Sequence, residues 1–336
     1  MSTIKDIAQK AGVSISTVSY ALNGIPKVHP ETRDRILALA KELGYYPNTQ
    51  ARNLKMGSTR RIGVFTNELG GSCLGAIMRG IQDALTGYDF DVLVATVSRN
   101  NKERAYSLLR ERWLDAAIMH NSADIDIDLL QTASRICPLV LMDREPDDVK
   151  GIENICTMTI DNYHGAAELT ARLVRMGRKK FMFLGGVHES YDNQKRFEGF
   201  CDVLRDAGIV FDPSWYFECN FYESVAFSKM TEILKAGMIP DALFCANDEM
   251  AIGALLALNE HGLRVPQDVS VTGFDDNEFA RHSSPPLTTV SYDRVGMGSK
   301  AVHALMKMLQ GTSDNKSIII PTTLVIRNSC GLTSDK

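Results

Sequence analysis

A chain of 336 residues is long enough for two or three domains with cores of their own, and 44% apolar with 23% charged residues excludes global disorder. The N-terminus has neither the basic nor the apolar region of a secretion signal, and no apolar run would span a bilayer, so the expected compartment is the cytoplasm, with no membrane partner. The net charge of -4 conceals an asymmetry: through residue 60, nine basic residues face only Asp6, Glu31, Asp34 and Glu42, a balance of +5 against -9 for the remainder, which suits phosphate contact at one end only.

From Ile4 the apolar residues Ile4, Ile7, Ala8 and Ala11 recur at helical spacing, and Gly12 with Ser14 supplies a turn and a new N-cap. A second short helix follows, with Val18, Ala21 and Leu22 facing the first and Ser16, Thr17, Ser19, Tyr20 and Asn23 turned outward. Two short helices about a glycine-containing turn form a helix-turn-helix, whose second helix fits the major groove. Any small helical hairpin has this spacing, so the pattern leaves open a hairpin with no DNA function. After Asn23-Gly24, Pro30 is placed for the first turn of a third helix with Ile36, Leu39, Ala40 and Leu43 as its stripe and Gly44 as its stop; His29 is a weak N-cap for it.

The strings Ile4-Lys-Asp-Ile-Ala, Ala11-Gly-Val-Ser and Thr17-Val-Ser-x-x-Leu-Asn resemble the headpiece of the lactose repressor (LacI/GalR) family, and the resemblance extends to the C-terminus. It implies a DNA-binding regulator that recognises a near-palindromic double-stranded operator as a homodimer, with Ile15, Ser16 and Tyr20 as base readers and Thr17, Ser19 and Asn23 on phosphate. The segment TQARNLKMG, too short for a stable isolated helix, corresponds to the family's hinge helix. There Leu54 stands where the family wedges a leucine into the minor groove, and Lys55 is placed for phosphate.

Beyond Arg61 short apolar runs (62, 90, 116, 138, 157, 180, 242 and 269) alternate with amphipathic stretches such as Ala76 to Leu85, Lys102 to Arg112, Gly165 to Arg175, Ser224 to Lys235 and Met250 to His261. This βα repetition predicts doubly wound parallel sheets with ligands at the carboxyl ends of strands. The expected architecture is therefore an all-α helix-turn-helix headpiece (1–46), a linker (47–60) and an α/β, two-lobed, periplasmic-binding-protein-like core (61–336). One lobe takes about 61–160 and 293–321, the other about 162–291 and 322–331, with a last strand pair near Ile318 to Arg327.

Arg196 and Asp275 each follow a strand, where a guanidinium fork or a carboxylate can hold vicinal hydroxyls, and both match family positions that contact effector. Each is also an ordinary charge at a strand end. Asn247 precedes Asp248 at another strand-to-helix turn, where the pair caps the next helix or touches ligand; Phe221 stands where the family often stacks an aromatic. Many relatives carry an aromatic pair where this chain has Cys73 and Leu74, so that wall is missing or supplied by another residue. Ser190 and Asp192 differ from the polar groups of the purine-responsive relative, which disfavours purine and leaves a sugar or sugar derivative as the expected effector. The weak pocket chemistry at Cys73 and Leu74 keeps open regulation by a partner protein, and a solute-binding protein or sugar enzyme is the third reading.

Seven scattered cysteines without a CxxC pair argue for reduced thiols rather than disulfides or zinc. With no GxGxxG, Walker or GxSxG motif and no metal-spaced histidines, no enzymatic activity or cofactor is implied.

Overall fold

The computed structural model describes residues 2–45, 57–67, 69–70, 72–97, 102–120, 125–312 and 317–331, and the chain divides into two compact units, Met1–Arg60 and Arg61–Lys336.

The first unit is built from α1 (Ile4–Ala11), α2 (Ile15–Leu22) and α3 (Pro30–Glu42). Thr3 and Asp6 close a capping box on α1, and Gly12, at φ +63°, ends it in a left-handed conformation that a Cβ would oppose. Ser14 caps α2 by accepting the Thr17 amide at 3.1 Å. As its sequence implies, α3 starts without a side-chain cap from His29. Ile7, Ala8, Ala11, Val18, Ala21, Ile36 and Ala40 form the core, and the Arg35 guanidinium donates to the Ala11 carbonyl at 2.7 Å, tying α3 to the turn.

In the second unit β1 (Arg61–Thr66), β2 (Asp91–Thr96), β3 (Ala116–Met119), β4 (Leu139–Met142), β5 (Ile155–Ile160) and β11 (Ser317–Ile320) form a six-stranded parallel sheet in the order β11-β5-β4-β3-β1-β2. Its central strands are buried along their length, as a parallel sheet covered by helices on both faces requires. The helices joining them include α4 (Ser72–Leu85), and α11 (Arg294–Leu309) returns from the far end of the sequence to pack on α4. Gly80 and Gly298 make this pairing close, since a Cβ at Gly298 would lie 2.1 Å from the Ile77 carbonyl oxygen.

A second parallel sheet holds β6 (Phe181–Gly185), β7 (Tyr216–Glu218), β8 (Ala242–Cys245) and β9 (Ser270–Thr272) in the order β7-β6-β8-β9, with α7 (Asn162–Arg175), α8 (Tyr191–Asp206), α9 (Glu223–Lys235) and α10 (Asp248–Glu260) around it. Phe181, Phe183, Phe200 and Phe244 form its aromatic centre. The chain passes between the two lobes at 160–162, 292–294 and 320–322.

The strands expected as a terminal pair do not pair with each other. β11 runs parallel to β5 in the first lobe, whereas β12 (Thr322–Val325) lies antiparallel to β10 (Thr289–Tyr292). Only Pro321 separates them, too short a link for a hairpin, and proline supplies no amide to a ladder.

Among the described residues no helix is long and apolar enough to cross a membrane, no cysteine is paired, and no group of side chains is arranged to hold a metal ion.

Candidate functional site

In the headpiece α2 presents Ile15, Ser16 and Asn23 exposed, with Thr17, Ser19 and Tyr20 half-buried beside them. Three of these side chains are already engaged locally: Thr17 Oγ1 lies 2.8 Å from Ser14 Oγ, and Asn23 Nδ2 donates to the Ser19 carbonyl at 2.7 Å and to Ser19 Oγ at 3.4 Å. Tyr20 has the Lys27 ammonium 5.6 Å from its ring centroid, so a cation from the following loop accompanies the phenol. Leu54 and Lys55 lie outside the described residues.

In the core, a cavity of about 370 Å³ lies between the two parallel sheets. Cys73, Leu74, Ser190, Asp192, Arg196, Phe221, Asn247 and Asp275 all line it, although they come from five stretches of chain. Cys73 and Leu74 stand in the first turn of α4; Ser190 caps α8 by accepting the Asn193 amide, which places Asp192 and Arg196 on that helix's first turns. Arg196 is 2% exposed. Its Nε donates to Asn162 Oδ1 at 2.8 Å, Nη1 to the Ala246 carbonyl, and Nη2 to Asp275 Oδ1 at 3.2 Å, while Asp192 Oδ2 lies 3.8 Å away. The guanidinium also stacks on Phe274, 3.8 Å from the ring centroid. Asn162 Nδ2 completes the network by donating to Asp192 Oδ1 at 2.6 Å.

Asp275 stands at φ +103° and Asp276 at +51°, a left-handed bend that turns the Asp275 carboxylate toward Arg196. Burial pushes the Asp275 carboxyl up to about 6 against the opposing Arg196 charge. Arg294 holds the bend from behind, donating to the Asp275 and Asp276 carbonyls, and Arg327 pairs with Asp276 at 2.6 Å.

Asn247 does two jobs: Oδ1 caps α10 through the Met250 amide at 2.9 Å, and Nδ2 donates to the Phe221 carbonyl at 3.1 Å. Asp248 is structural. Fully buried, it accepts the Asn277 amide at 2.7 Å and the Thr289 hydroxyl at 2.6 Å, and burial drives its carboxyl well above the usual range. Phe221, at φ +66°, lays its ring where a Gly186 side chain would be.

Sequence reasoning passed over Tyr292 and His120, which also line the cavity. Tyr292 sits at a lobe crossing, and with Tyr191, Phe221 and Tyr222 it supplies the aromatic surface that Cys73 and Leu74 do not. Only the crossing at 292–294 signalled it in the sequence; His120 follows a buried strand without local pattern. The Cys73 thiol, pushed up to about 12 first by burial and then by the Asp275 charge, is un-ionised at neutral pH.

The transcriptional repressor PurR of Haemophilus influenzae is 32% identical over 339 residues, covering 98% of each chain. The chain belongs to the LacI family. Residues 3–48 match the bacterial regulatory proteins of that family, and residues 170–330 match a periplasmic binding protein-like domain. Among solved structures of LacI-type fold, the lac repressor dimer bound to operator and the anti-inducer ONPF has a TM-score of 0.84 at 28% identity, over 98% of this chain and 99% of that one. The transcriptional regulator CelR in complex with cellobiose has a TM-score of 0.73 at 28% identity, over 98% of this chain and all of that one. A LacI-family protein with this headpiece and core is a DNA-binding transcriptional repressor, not an enzyme.

Proposed function

We propose that the chain represses transcription as a homodimer on a palindromic operator and that a small molecule, a sugar or sugar derivative, controls it from the cavity between the lobes. The observation that carries the effector reading is the convergence of Cys73, Leu74, Ser190, Asp192, Arg196, Phe221, Asn247 and Asp275 on one space of about 370 Å³, within the range that takes a small ligand. The complexes of similar proteins with an operator and an anti-inducer, and with cellobiose, support both halves of the reading.

On DNA, α2 enters the major groove with Ile15, Ser16 and Tyr20 toward base edges and Thr17, Ser19 and Asn23 toward phosphates. Ligand that favours one angle between the lobes shifts operator affinity only by its differential affinity for the two angles, typically about 1–3 kcal/mol.

Thermal unfolding of the full chain against sugars and sugar derivatives, followed by operator titration with any ligand found, tests the proposal. A ligand at a hundredfold its Kd adds about 2.7 kcal/mol to stability and should change operator affinity. A ligand that stabilises the protein yet leaves operator binding untouched would contradict the regulatory reading, and stabilisation by none would contradict the effector site.

A further inference from the structure

Two pairs of side chains at the start of α8 serve different ends. Asp192 and Arg196, four residues apart, face the cavity, whereas Tyr191 and Lys195, also four apart, reach from the second lobe to the first. The Tyr191 hydroxyl is hydrogen-bonded to the Thr159 side chain on β5. Lys195 Nζ lies 3.0 Å from Glu145 Oε1, just beyond the end of β4, and 3.1 Å from Glu198 Oε2 on its own helix. Hydrogen bonding to Glu145 holds the Lys195 ammonium above its ordinary value, so the lysine carries its charge at neutral pH.

Both ends of this ion pair are anchored. Arg144, next to Glu145, is 6% exposed and donates Nη1 to the Ile125 carbonyl at 2.7 Å, and Pro146 opens a short turn on the other side. Lys195 rides on a helix packed against α7, so it moves with the second lobe. Neither residue belongs to a crossing between the lobes, at 160–162, 292–294 or 320–322. A rotation about those crossings that carries α8 away from the end of β4 therefore parts Lys195 from Glu145.

We infer that Lys195 and Glu145 are positioning residues for operator control: their ion pair latches the two lobes at the angle seen here, and breaking it shifts the operator affinity of the free protein. This rests on reading the lobe angle as the quantity that governs operator binding. With side chains 32% and 39% exposed, the pair contributes up to about fivefold to the equilibrium between lobe angles.

The probe is a DNA duplex selected from a random-sequence pool by the wild-type full chain. Its affinity is then measured, with no effector present, for wild type, Lys195→Glu, Glu145→Lys and the double variant that carries both. The two single variants change the net charge in opposite directions, so a general electrostatic effect on DNA moves their affinities oppositely, whereas loss of the latch moves both the same way. The expected result is a shift of about two- to fivefold in one direction for both single variants, with wild-type affinity restored in the double variant. Where a single variant does not unfold cooperatively, Lys195→Gln or Glu145→Gln replaces it, removing one charge without setting like charges together. Unchanged affinity in both single variants, shifts of opposite sign, or a double variant displaced as far as the singles overturns the inference and leaves the operator reading standing. A pool that yields no preferred duplex overturns the operator reading itself and the inference with it.

Discussion

Replacing Arg196 with methionine keeps an apolar stem of similar length and removes a guanidinium that is almost wholly enclosed. Asn162 Oδ1, the Ala246 carbonyl and Asp275 Oδ1 lose their donor together. Breaking a buried ion pair from one side costs about 3–5 kcal/mol, because the remaining charge is left without compensation. For a core of this size each kcal/mol moves Tm by about 2–3 °C, so the variant should melt about 6–15 °C below the wild type at pH 8. The loss depends on pH with a definite sign. Asp275 already titrates at about 6 in the folded protein, above the ordinary 3.8, with burial as the main cause and Arg196 as the main opposing influence. Without Arg196 the folded value rises further. A carboxyl raised in this way favours the folded state at low pH and loses that contribution as pH rises through its folded value. The difference in Tm between variant and wild type should therefore be smaller at pH 5.5 than at pH 8. Calorimetry of both proteins at the two pH values measures it. Equal melting at pH 8, or a difference that widens at pH 5.5, would refute the ion-pair account.

Gly186→Ala should expel the Phe221 ring, since the added Cβ would lie 2.0 Å from its Cζ; a ligand-induced Tm shift should shrink while stability falls by about 1–3 kcal/mol, both read in one thermal titration. Ser14→Ala removes the cap on α2 and should cost the headpiece about 1 kcal/mol, seen as faster amide exchange at Thr17 and Val18, with weaker binding to every DNA sequence. His29→Asp should do the reverse for α3, adding about 1 kcal/mol to headpiece stability by supplying the cap that the histidine does not provide. Tyr20→Ala should relax preference at one base pair by about 1–3 kcal/mol in binding to a set of operator variants, whereas a uniform loss across all sequences would make Tyr20 a phosphate contact.

Much of the fold is legible in the chain because its signals are local. Ile4, Ile7, Ala8 and Ala11 carry a helical period, and runs such as AAIM and PLVLM carry the continuous burial of parallel strands. Arg196 and Asp275 could be singled out because each follows a strand. What joins them could not. Asp192, four residues before Arg196, is a local partner, but the hydrogen-bond partners of Arg196 lie 34, 50 and 79 residues away in sequence, so that network is a product of tertiary structure. The same holds for Tyr292, an unremarked strand residue until a lobe crossing turns it into the cavity. The parting of β11 and β12 had a local cause in Pro321, which a count of linker residues would have caught.

The order of strands also bears on the birth of the protein. β5 is complete once residue 160 has been made, but one of its two neighbours in the sheet, β11, ends at residue 320. At roughly 5–20 residues per second, a strand buried at all six positions waits roughly 8–32 s with one edge open while the whole second lobe is synthesised. An apolar edge left open this long is a template for pairing with another chain. The interval between these two strands is thus when the nascent protein depends most on chaperones, and slowing synthesis beyond residue 160 should raise aggregation more than slowing it before.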